Sequence, residues 1–178
     1  MTEIETMTAT APAGGRVVIG IDPDTDRNGV AEIRTPGKEM EVASLTFPET
    51  LEHVKRRHRE WTEGGGSPAS FRVLVEAGWL NRSNWHVKGG KGAAWAAAVG
   101  RSDGECSAVS KKLLECLEYY GIQAEPVRPL RKCWSGRDRK ITHGELLREL
   151  DVYGVRHSLK GHSNQEERDA ALIALVNM

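Results

Sequence analysis

Two short apolar segments of this chain each end on an acid. Residues 17–22 read Val-Val-Ile-Gly-Ile-Asp, and residues 71–76 read Phe-Arg-Val-Leu-Val-Glu. Runs of this length, rich in branched side chains, are strands of a packed sheet. Side chains alternate along a strand, so Asp22 continues the face of Gly20 and Val18, and Glu76 that of Leu74. Burying a carboxylate is costly without a charged partner. A third acid, Asp169, lies within residues 165–175, which read as the closing helix. At helical spacing it aligns with Leu172, Ile173 and Val176 on the face that should be packed. Three acids aimed from buried elements suggest a cluster that holds divalent metal.

The elements between them set the fold class. Residues 16–22, 30–33 and 41–47 are three strands joined by turn chemistry at residues 23–29 and 35–38, which reads as an antiparallel meander. Pro48 suits the first turn of a helix whose stripe is Leu51, Val54 and Trp61. The glycines at 64–66 stop it before the strand at residues 71–76. Val109, Leu113, Leu117 and Tyr120 continue a long helix from near Ala93, which ends at Gly121. Residues 122–127 form a fifth strand. Thr142 to Glu145 is a capping box, with Ile141 and Leu146 as its hydrophobic staple, and Ser163 to Glu166 is a second one opening the last helix. The expected architecture is an α/β domain over residues 16–178 with a mixed five-stranded sheet, three antiparallel strands then two parallel, flanked by helices. Residues 1–15 read as a disordered tail rather than a signal peptide.

Lys plus Arg equals Asp plus Glu, 25 each. Bulk charge therefore points to no polyanion, and only local clustering can. No apolar run approaches the roughly 20 residues of a membrane helix. The three cysteines, Cys106, Cys116 and Cys133, match no zinc spacing and read as free thiols of a cytoplasmic protein. Carboxylate oxygens suit magnesium, and two such ions about 4 Å apart can activate a water and stabilise the leaving oxygen of a phosphodiester. Each acid also has a plainer reading. Asp22 precedes Pro23 and suits a turn, Asp169 suits a buried base such as Arg72, and Glu166 serves as the acid of its capping box.

At these residues the chain resembles the Holliday-junction resolvases of the RuvC type, in the RNase H-like superfamily. The resemblance rests on Gly20-Ile21-Asp22-Pro23, on Val75-Glu76, and on Asp169-Ala170-Ala171-Leu172-Ile173-Ala174, in that order across residues 16–178. It implies a homodimeric endonuclease that nicks two strands of a four-way DNA junction with magnesium or manganese, two ions per active site. Branch-migration machinery is a further implied partner. Asp22, Glu76 and Asp169 match the family's catalytic, metal-holding acids. Glu166 stands where the family usually has Asp, and Asp24 where it usually has Gly. Lys140 is the best match to a lysine that lies near the family's active site.

Two segments carry groups suited to DNA. Arg128, Arg131, Lys132, Arg137 and Arg139 crowd with Lys140 into thirteen residues holding one acid, Asp138, as phosphate contacts would. The loop after Glu76 holds Trp79, Trp85, Lys88 and Lys91, and aromatic side chains near here can stack on opened bases. A solvated loop and a packed Trp79 are the structural alternatives, and packing is the preferred reading of Trp95. His162 is a further candidate for proton transfer. Three functions stay open: a junction resolvase, another RNase H-like nuclease of the ribosomal-RNA-processing or transposase kind, and a non-catalytic module that binds branched DNA.

Overall fold

The computed structural model describes residues 14–81, 92–159 and 161–178. The expected tail lies almost wholly outside them, as do Trp85, Lys88 and Lys91. Six strands form one mixed sheet in the order β5-β4-β1-β2-β3-β6. β1 (Arg16–Asp22), β2 (Asn28–Thr35) and β3 (Glu39–Leu45) make the antiparallel meander. β4 (Phe71–Glu76) runs parallel to β1, and β5 (Ala124–Val127) parallel to β4. The sixth strand corrects the expected five. β6 (Arg156–His157) is only two residues long and pairs with β3, too short to leave a periodic signal.

Among the described residues, four α-helices cover the sheet, two on each face. On one face α1 (Phe47–Glu63) and α2 (Ala93–Tyr119) meet Ile19, Ile21, Val73 and Val75 through Val54, Leu113 and Leu117. On the other, α3 (His143–Tyr153) and α4 (Gln165–Val176) meet Val18, Ala31, Ile33 and Leu74. Double coverage explains why the central strands read as continuous apolar runs rather than alternating ones. The staple residues Ile141 and Leu146 are both fully buried beneath α3.

The meeting of α4 with the sheet fixes the site, and two glycines allow it. A Cβ on Gly20 would lie 2.4 Å from the Ala170 carbonyl oxygen, and one on Gly29 would lie 1.9 Å from that of Glu166. Either contact is impossible for a real side chain, so the helix backbone rests directly on β1 and β2. Gly29 is also the ladder partner of Asp22. The helix therefore delivers Glu166 and Asp169 beside the end of β1.

Candidate active site

β1 and β4 are neighbouring parallel strands with Ile21 opposite Val75, so Asp22 and Glu76 leave their ends side by side. Neighbouring strands lie about 4.8 Å apart, which puts the two carboxylates in one field. Burial first, then the charges of Glu76 and Asp169, hold the Asp22 carboxyl well above the usual range. Glu166 adds to that rise and Lys140 opposes it. Burial and the Asp169 charge push Glu76 up to about 6, against the pull of Lys140 and Lys132.

Lys140 is the cation of the cluster. Its ammonium donates to Asp169 Oδ2 at 3.0 Å. Burial works against that charge, but Asp169, Asp22 and Glu166 outweigh it and hold the lysine above its ordinary range. It remains a protonated donor across the neutral range.

Glu166 is free of the role expected for it. The capping box of α4 is Asn164 with Glu167: Asn164 Oδ1 accepts from the Glu167 amide at 2.7 Å, and Glu167 Oε2 accepts from the Asn164 amide at 2.9 Å. The helix starts one residue later than the Ser163 pattern implied. Ser163 is instead buried, with its hydroxyl 2.9 Å from His143 Nδ1. Asp24 belongs to the turn, where its carboxylate accepts from the Asp26 amide at 3.0 Å. Buried Asn28 pins that turn. Its Oδ1 accepts from the Asp24 amide at 3.1 Å and its Nδ2 donates to Thr50 Oγ1 at 2.9 Å.

The basic segment reaches the acids at one end. Arg128, Arg131, Lys132, Arg137 and Arg139 are exposed, while Trp134 and Leu130 anchor the loop against the α4 side of the core. Lys132 and Lys140 stand within electrostatic reach of Glu76. Trp79 is partly buried on a single helical turn after β4, with Lys111 Nζ 5.3 Å from its ring centre. His162 lies apart, beside Val42, Ser158, Leu159 and Glu167 around a shallow cavity of about 230 Å³ that none of the four acids lines.

An all-oxygen donor set of Asp22, Glu76, Glu166 and Asp169 fits a hard divalent cation. Among the described residues, no group of three or more His, Cys, Asp or Glu side chains is drawn close enough to grip one ion. The fit is thus one of donor chemistry and mutual charge.

Gly29, Asn28 and Gln165 are site-building residues that the pattern reading did not bring to the site, and Gly20 entered it only as a face neighbour of Asp22 and within the family motif. A glycine inside a strand signals close backbone approach, which Gly20 satisfies. Gln165, whose amide donates to Asp169 Oδ1 at 2.8 Å, stands one helical turn before it, a spacing that puts the two on one face.

The fold and the acids together define an α/β protein with a carboxylate cluster at the C-terminal ends of two interior strands of a mixed sheet. No protein-family model matches the chain, and no curated protein does. Among solved structures it is similar to "T. thermophilus RuvC in complex with Holliday junction substrate", at 16% identity over 90% of this chain and 91% of that chain, with a TM-score of 0.46. It is also similar to the "Thermus thermophilus RuvC structure", at 18% identity over 89% and 91%, with a TM-score of 0.42.

Proposed function

We propose that this protein is a metal-dependent endonuclease that resolves four-way DNA junctions by paired nicks. The observation that carries the reading is that Asp22, Glu76, Glu166 and Asp169, with Lys140, share one field at the C-terminal ends of β1 and β4. Four acids sharing one field cost the fold stability, and a cation-dependent reaction on an anionic substrate is a reason to keep them.

In this reading the four carboxylates hold magnesium or manganese, two ions per site. The bound metal supplies an activated water and neutralises the charge that develops on the phosphate. Lys140, protonated and half-buried, offers a donor to a non-bridging phosphate oxygen beside Asp169. Lys132, Arg131 and the exposed arginines of the same loop bind the backbone on either side, a sequence-independent role that weakens with salt. Trp79, three residues after Glu76 in the chain and with Lys111 over its ring, stacks in this reading on a base at the branch point. Symmetric nicking needs two copies of the site, hence a homodimer.

The test is cleavage of a labelled mobile four-way junction by the parent and by Asp22→Asn. Magnesium, manganese and EDTA are compared, with linear duplex and RNA–DNA hybrid as controls. Paired nicks in the junction alone, lost in the variant and in EDTA, are expected. Cutting of a control substrate points instead to another nuclease branch. Tight junction binding without nicks points to a non-catalytic module, the reading that the Glu166 and Asp24 departures from the family pattern favour.

A further inference from the structure

Both oxygens of Asp169 are spoken for, by donors of different kinds. Oδ2 accepts from the Lys140 ammonium at 3.0 Å, and Oδ1 accepts from Gln165 Nε2 at 2.8 Å. Gln165 is the first residue of α4, one turn before Asp169. The orientation of its amide is fixed chemically, because the opposite one would set its oxygen against a carboxylate. Its Oε1 accepts in turn from an Arg168 terminal nitrogen at 2.9 Å. Arg168 also donates through Nε to the Ile141 carbonyl at 2.9 Å and through its other terminal nitrogen to the Ser163 carbonyl. Ile141 follows Lys140 in the chain, so the contacts close a ring: Lys140, Asp169, Gln165, Arg168, Ile141.

The two donors do different work. An ammonium orients a carboxylate and also cancels its charge. A neutral amide orients it and leaves the charge for something else. We propose that Gln165 is a positioning residue for Asp169, holding Oδ1 while Lys140 holds Oδ2 so that the carboxylate keeps one orientation, with Arg168 as the anchor of the Gln165 amide. The proposal rests on the metal-dependent reading of this same site. Groups that hydrogen-bond a metal ligand characteristically tune affinity through that ligand.

The experiment is a manganese titration of the full chain, following the spin-resonance signal of the free ion, on four proteins. These are the parent, Gln165→Met, Asp169→Ala and the double variant, with Gln165→Leu in reserve should the methionine variant fail to fold. Gln165→Met is expected to weaken manganese binding about tenfold in the parent background. It should have no effect in the Asp169→Ala background, since its influence passes through Asp169. Unchanged affinity in Gln165→Met, or an equal loss in both backgrounds, overturns the positioning role and leaves the nuclease reading standing. A parent that binds no manganese overturns both.

Discussion

At the ends of β1 and β4, Asp22 and Glu76 hold their protons more tightly than free carboxyls do. The consequence for stability has a definite sign. Glu76 has an ordinary value of 4.5 and a folded value of about 6. Its folded form is favoured below pH 4.5, and that advantage is lost as the pH rises through 6. At pH 7.5, without divalent ions, Glu76→Gln should therefore be more stable than the parent by about 2 kcal/mol. Nuclease activity should vanish in the same variant. Urea unfolding at pH 4.0 and 7.5 checks this, and a gap that does not widen with pH contradicts it. These acids were legible in the sequence because they interrupt apolar faces. Only the cap was misassigned, since a Ser three residues before an acid is also a capping signal, and Asn164 with Glu167 won it from Ser163 with Glu166.

Among the elements, α4 shows what side-chain patterns do not encode. Its small apolar run, from Ala170 onward, marked a buried helix. Its depth on the sheet is set by absent side chains at Gly20 and Gly29. Gly29 read as part of a turn, although it pairs with Asp22 inside the ladder. Gly29→Ala must push the Glu166 carbonyl away or bend β2, an overpacking cost of about 1–3 kcal/mol. Activity should fall further than that stability loss implies, because the displaced helix carries two of the four acids. Thermal unfolding and junction cleavage of the variant, compared at a temperature where it is fully folded, separate the two effects. Loss of stability with full activity would show that helix depth does not set the site. Short β6 shows the complementary limit: two residues on a sheet edge carry too little pattern to be seen.

Across the whole molecule, the second buried charge system lies on the opposite face from α4. Glu32, almost fully buried in β2, accepts from Arg57 of α1 through both oxygens, at 2.8 and 2.5 Å, and lies 3.3 Å from Arg34 Nε. Burial raises the Glu32 carboxyl, but the His53 and Arg57 contacts outweigh it and bring the value from 4.5 down to about 2. Its contribution is complete above pH 4.5 and is lost as the pH falls through 2. Glu32→Gln removes the buried charge that Arg57 and Arg34 share, leaving Arg57 only the more exposed Glu60 at 2.6 Å, and should cost about 3 kcal/mol at pH 7. That deficit should shrink steadily between pH 4.5 and 2, as urea midpoints in that range would show. An acid set among cations thus ties helix to sheet, whereas the acids set among acids hold their protons more tightly. The cluster draws Asp22 from the first strand and Asp169 from the last helix, almost 150 positions apart in sequence. Contacts between such distant segments form late, because the chain between them must first be ordered. A chain emerging from the ribosome therefore carries half its acids without the other half. Whatever capacity the four acids have together is withheld until synthesis has passed α4.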